Sequence, residues 1–424
     1  MDSKKKNLTV CILFGLLLAV AFLACLFLPK EATSDSERRK LAAMPAFTLD
    51  TVLSGRFMSG FETYTQDHFP FRDQFRTLKA LSATGLFHRQ DNNGIYVSDG
   101  FAAAVEYPLN ESSLDRAAGR FQYLYDKYLN GSNRVFLSVI PDKNCFLARE
   151  SGHLSMDYAQ LESLMAQKVG FADYISISDL LERDDYYRTD THWRQERITD
   201  VAERLAQAMG VTLTQNYEES VLERDFYGVY CGQSALPLAP ESIHYLINDA
   251  IRDCTVYDYQ NNRTGTVYDM ERAMGKDPYE MFLSGSLSLI TMENPYAQSG
   301  RELVLFRDSF GSSIAPLLLS GYSRITLVDI RYIQPDYLGQ FIDFENCDVL
   351  FLYSSLVLNN SDTLKYPIRL WMLWVIHSRI FLFKGQSANP CCHWNSIPIP
   401  TLADAVNTRS LQSSVTIHLY AVGA

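Results

Sequence analysis

The sequence predicts an α/β domain on a mostly parallel sheet, held outside a membrane by one N-terminal helix. Three observations carry this. Short apolar runs at 134–140 (RVFLSVI), 302–306 (ELVLF), 324–330 (RITLVDI) and 348–354 (DVLFLYS) read as strands buried on both faces. Helix-period segments at 115–129, 194–209 and 312–320 alternate with them. Residues 8–28 form an apolar stretch in which Thr9 is the one clearly polar side chain.

In chain order, Lys4, Lys5 and Lys6 precede that stretch, which is long enough to cross a bilayer as a helix. A secretory signal is the competing reading, but its apolar region runs about 7–15 residues before a small-residue cleavage site, and here the run continues to Pro29. Cys25 after Ala24 resembles a lipoprotein site, which Phe22 and Leu23 fit poorly. The expectation is a cytoplasmic tail at 1–7, a single-pass anchor at 8–28, and the rest outside, because the lysines stay in the cytoplasm.

Residues 29–85 read as a linker and docking segment, polar up to Pro45 and then turning at Pro70 into an amphipathic helix with Phe69, Phe71, Phe75 and Leu78. His68 beside Asp67 reads as a surface or docking residue rather than a second catalytic candidate. Residues 86–366 form the expected catalytic domain. The Tyr-, Asp- and Asn-rich stretch near 211–280 reads as an insertion and a candidate cleft lining. The tail at 367–424 is atypical, with three of the chain's four tryptophans and Asp404 as its one acidic residue. It reads either as an interfacial segment at 367–383, interrupted by Arg369, His377 and Arg379, or as a chain end foreign to the domain, which is preferred.

The chain has 424 residues, 47% hydrophobic and 21% charged, enough for an ordinary core. A net charge of -11 argues against nucleic acid as the partner, because that affinity rests on Lys and Arg neutralising phosphates. Of eight cysteines, Cys145, Cys231, Cys254 and Cys347 are spaced too irregularly for a zinc site. They read as buried free thiols. No metal-ligand cluster is visible and no cofactor is expected.

The sharpest local feature is ELVLFRDSFGSSIAPLLL, a strand, a turn carrying Ser309, then a helix. In open α/β sheets ligands gather beyond the carboxyl ends of strands, and free N–H groups of a first helical turn can stabilise an oxyanion. Ser309 is therefore a candidate nucleophile, or else a helix cap; Asp308 has the same ambiguity. A serine needs a base and the base an orienting group. RTDTHWRQ, residues 188–195, offers His192 as base and Asp190 as orienter, with Trp193 packing the loop. With 8 histidines and 49 acidic residues in 424, about one acid-x-His pair is expected by chance. The octapeptide gains meaning from Ser309.

YYRTDTHW followed by RDSFGSSIAPLL resembles the DHHW protein family and the related alginate O-acetylation proteins. SERRKLAAMPAF, DHFPFRD, IPDK, DFYG, FLSGS, VDIRY and LYSSLVLNNS fall in the matching order across roughly residues 35–365. Thr191 departs from the second letter of the name-giving motif and agrees with the alginate-type version. The resemblance implies an SGNH-hydrolase-like three-layer sandwich with Asp190, His192 and Ser309 as acid, base and nucleophile. Oxyanion or substrate candidates are Phe310, Gly285 and Ser286, while Arg331 would hold an anionic group or form a surface ion pair. The implied activity is O-acetyl transfer to, or hydrolysis from, an exported polysaccharide, with the donor delivered by a membrane-bound O-acyltransferase. A catalytically silent glycan-binding scaffold is the alternative. A metal-dependent deacetylase ranks last, since it needs several convergent His and Asp ligands.

Overall fold

The computed structural model describes residues 3–366; the expectations for 367–424 lie outside the described residues. Helix α1 (Ser3–Phe27) contains the span Lys4–Cys25, of mean hydropathy 2.8, long and apolar enough to cross a membrane.

An eight-stranded sheet forms the centre. Its strands are β1 (Arg134–Ile140), β2 (Asp173–Tyr174), β3 (Thr255–Asp258), β4 (Arg263–Gly265), β5 (Leu289–Glu293), β6 (Glu302–Arg307), β7 (Arg324–Val328) and β8 (Asp348–Ser354). They lie in the order β4-β3-β5-β7-β6-β8-β1-β2. From β7 to β2 every pairing is parallel; from β7 outward through β5, β3 and β4 every pairing is antiparallel. The four apolar runs are thus the parallel centre. The antiparallel edge includes two strands from within 211–280, short and carrying Asp258 and Arg263, so neither shows the apolar run that marks a central strand.

Helices cover both faces. The period of two sends Leu350 and Leu352 of β8 to one face and Val349, Phe351 and Tyr353 to the other. The first face packs on α4 (Thr199–Ala208) through Val201, Ala202 and Leu205, and on α5 (Gly311–Leu318) through Ile314, Leu317 and Leu318. The second packs on α2 (Glu111–Tyr128) through Leu114, Phe121 and Leu124, and on α3 (Tyr158–Lys168) through Leu161 and Met165. This is the three-layer α/β/α sandwich.

The order fixes where a site can form. From β6 the chain passes by α5 on the first face to β7, then returns past Leu338, Ile342 and Phe344 on the second face to β8, on the other side of β6. The crevice beyond the carboxyl ends of β6 and β8 is the switch point at which such sheets bind ligands.

Within 29–85, a two-stranded ladder pairs Thr33 with Lys40 and Ser34 with Arg39, and helices span Arg56–Asp67 and Arg72–Leu81. His68 is a docking residue here: its Nε2 meets the Ala42 carbonyl at 2.9 Å, and its ring packs on Tyr64.

Candidate active site

Ser309 lies in the tight turn between β6 and α5. The residue in the cap position is Phe310, which makes no side-chain cap bond. The serine hydroxyl is not spent on capping. Asp308 ties the turn instead: its carboxylate accepts from the Phe310 N–H at 3.1 Å and from the Ser354 N–H and Oγ at 2.8 and 2.6 Å. Gly311 is required by close approach, since a Cβ there would sit 2.6 Å from Arg307 Cβ.

The Ser309 Oγ lies 2.7 Å from His192 Nε2, and His192 Nδ1 lies 2.6 Å from Asp190 Oδ1. The three sequence candidates therefore form one continuous relay, the histidine and the serine being 117 positions apart in the chain. Asp190 is 1% exposed. Its Oδ1 also accepts the His192 N–H and its Oδ2 the Val229 N–H. Burial works to raise its pKa, but His192, Arg38 and the Val229 N–H overcome that and hold it below the usual carboxylate value. An ionised Asp190 keeps the proton of a neutral imidazole on Nδ1, leaving Nε2 to accept from the serine.

The loop carrying Asp190 and His192 is clamped from several sides. Tyr186 bridges Trp193 across its neck, and the Tyr187 N–H donates to the His192 carbonyl. Glu241 accepts from the N–H groups of Arg188 and Thr189 and from Thr189 Oγ1. Lys143, just past β1 and 1% exposed, donates to the carbonyls of Tyr187, Arg188 and Asp190 at 2.6, 3.1 and 2.6 Å. Gly228 lies flat against the loop; a Cβ there would come within 2.2 Å of the Thr189 carbonyl.

The imidazole itself is sandwiched. Tyr279 stacks on it at 3.9 Å between centroids and 10° between planes, and Phe310 packs at 4.9 Å. Tyr279 donates to Ser313 Oγ at 3.0 Å, which also accepts from Trp193 Nε1 at 2.9 Å. Trp193 is fully buried and joins the loop to α5. Beside the triad, a cavity of about 540 Å³ opens between Arg38, Asp277, Arg263, Arg272, Lys276 and Glu280, polar and of both charge signs.

The remaining candidates sit differently. The Phe310 N–H is engaged by Asp308 and the Gly285 N–H donates to the Phe282 carbonyl, while the Ser309 N–H takes no acceptor among the described residues. Gly285 has φ +83°, the last of three consecutive positive-φ residues from Leu283; among the described residues no hydrogen bond joins it or Ser286 to the triad. Arg331 is paired with buried Asp329, Nη2 to Oδ2 at 2.6 Å and Nε to Oδ1 at 2.9 Å. Sequence reasoning missed Lys143, Gly228, Val229, Tyr279 and Arg38. Lys143, Gly228 and Arg38 stood inside quoted motifs, but only the fold shows what they touch.

A DHHW family protein from Eubacterium siraeum is similar in structure, with 20% identity over 64% of this chain and 95% of that one, and a TM-score of 0.53. The chain has the fold of a DHHW family protein. Bacillus cereus PatB1, solved with a sulfonyl adduct, matches at 19% identity over 64% of this chain and 99% of that one, TM-score 0.48. The O-acetyltransferase domain of Pseudomonas putida AlgJ matches at 13% over 63% and 92%, TM-score 0.39. No family model and no curated protein matches the chain. The DHHW resemblance of the motifs and the α/β architecture thus agree.

Proposed function

We propose that this DHHW-fold chain is a membrane-anchored, extracytoplasmic serine acyltransferase or esterase acting on O-acetyl groups of a surface or exported polysaccharide. The observation that carries the reading is the unbroken relay Asp190, His192, Ser309 at 2.6 and 2.7 Å. The polysaccharide, the acetyl group and delivery by a membrane-bound O-acyltransferase rest on the motif resemblance.

Ser309 Oγ attacks the carbonyl carbon of an acetyl ester while its proton passes to His192 Nε2. The resulting oxyanion is met by the Ser309 N–H, which takes no acceptor among the described residues. Collapse breaks the bond to the donor oxygen, which takes the proton from Nε2 and leaves acetyl on Ser309. An acceptor hydroxyl then yields its proton to Nε2 and attacks the acyl carbon; collapse frees Ser309 and returns that proton to it. A sugar hydroxyl gives transfer and water gives hydrolysis. Asp190 stabilises the imidazolium in both halves.

The test is incubation of the full chain with an activated acetyl ester, followed by peptide mass spectrometry. Acetate is expected on Ser309, absent in Ser309→Ala and slowed by about 10²–10⁴ in His192→Ala. No adduct, with equal background turnover in all three proteins, would overturn the enzyme and leave a glycan-binding scaffold. Anchoring is checked by intact mass: an uncleaved N-terminus in the membrane fraction supports it, and a shortened soluble chain refutes it.

A further inference from the structure

A cation from outside the catalytic domain's own sequence range reaches the triad. Arg38 belongs to the 33–40 ladder near the anchor, and its side chain is 13% exposed. Nη1 lies 2.6 Å from Asp277 Oδ2 and 3.7 Å from Asp190 Oδ2. Nη2 donates to the Tyr227 carbonyl, and the guanidinium lies 5.7 Å from the Phe226 ring centre. The residue is held at φ +53°, a conformation uncommon for a side chain of this size and kept only where surroundings enforce it.

The surroundings do enforce it. Glu37 pairs with Arg72 at 2.5 Å and Arg76 at 3.3 Å. Arg39 forks onto buried Asp67 at 2.5 and 2.9 Å, and Asp67 also accepts the Ala42 N–H. The Ser36 carbonyl lies so close to Gly232 that a Cβ there would sit 1.8 Å from it. Glu37 and Arg39, paired with each other at 3.1 Å, clamp the strap on one side, and Arg38 is the one aimed at the site.

We propose that Arg38 is a positioning residue for the triad, bridging Asp190 and Asp277, and that docking of the 33–40 strap completes the active site. This rests on the serine reading above. Without the guanidinium, two carboxylates face each other with no cation between them, and their repulsion pulls Asp190 against its bonds to the His192 and Val229 N–H groups. The charged groups around the imidazole are then Asp190 on its own loop and Asp277 from the segment leading to Tyr279, with Lys143 behind the loop.

The test uses the full chain. Arg38→Ala is expected to lower kcat/KM on an acetyl ester by about 100-fold, as a misplaced catalytic group does, and to move the acidic limb of the pH profile upward. Millimolar guanidinium should restore at least about tenfold by refilling the vacated place between the carboxylates. Arg38→Lys, a single point charge, should fall between. The imidazole titration of His192, followed by NMR, is read in parallel because it needs no turnover. An unmoved titration, or activity loss without guanidinium rescue, overturns the proposal. A moved titration in a chain whose Ser309 is never acetylated overturns the serine reading and supports the strap's role.

Discussion

Replacing Lys143 with Met should cost much activity and little stability. Its three N–H groups are all donated to carbonyls of the Tyr187–Asp190 stretch, so the charged form is the one the loop uses. Burial first, offset in part by Glu241, Asp190 and Asp142, pushes its pKa from 10.5 down to about 7. That difference weighs roughly 5 kcal/mol against the ammonium, at 1.36 kcal/mol per pH unit. Three hydrogen bonds to a charged donor return about 1.5–3 kcal/mol each. Bonds and burial cost nearly offset, and Lys143→Met should change the folding free energy by no more than about 2 kcal/mol. The loop, however, loses the tether under Asp190, and a displacement of about 1 Å in a catalytic group is worth about 10² in rate. Denaturant unfolding gives the first quantity and acetyl-ester kcat/KM per folded molecule the second. A stability loss above about 4 kcal/mol with kcat/KM unchanged would refute the reasoning, because Lys143 would then serve the core and not the loop.

Three further outcomes follow from the geometry. Ser313→Ala strips the acceptor shared by Trp193 and Tyr279 and should cost about 1–3 kcal/mol in thermal unfolding, with a several-fold fall in kcat as Tyr279 loosens on His192. Gly228→Ala drives a Cβ into the Thr189 carbonyl and should cost about 3 kcal/mol; an unfolding midpoint equal to wild type would show that the loop yields freely. Glu106 is raised from 4.5 to about 7, by burial first and Asp142 second, so the folded chain holds this proton where the unfolded chain releases it. Stability should therefore fall as pH rises from about 4.5 to 7, by at most roughly 3 kcal/mol, and Glu106→Gln should remove that slope in unfolding measured across the range.

The parallel centre was legible because strands buried on both faces must be apolar throughout, as in ELVLF and DVLFLYS, whereas the antiparallel edge hid in polar stretches around Tyr257 and Thr264. The relay was legible because serine chemistry demands a base and an orienter, and the motifs supplied one of each. Its supports were not. Tyr279 reads as one tyrosine among 25, Gly228 as the last letter of DFYG and Arg38 as part of a polar linker. Each acts through a contact with a residue at least 34 positions away, which no local pattern encodes. Ser309 shows the converse: its cap reading was reasonable locally, and only the turn geometry, with Phe310 at the cap position, removes it.

The strand order also sets a timetable. β8 lies between β6, which leads to Ser309, and β1, which leads to Lys143 and the tethered loop, yet β8 is the last of these strands to be synthesised. It also supplies Ser354, which holds Asp308 and hence the serine turn. A chain that lacks residues 348–354 has the serine turn without the Ser354 N–H and Oγ that hold Asp308. The turn is thus completed only when the last of these strands is in place.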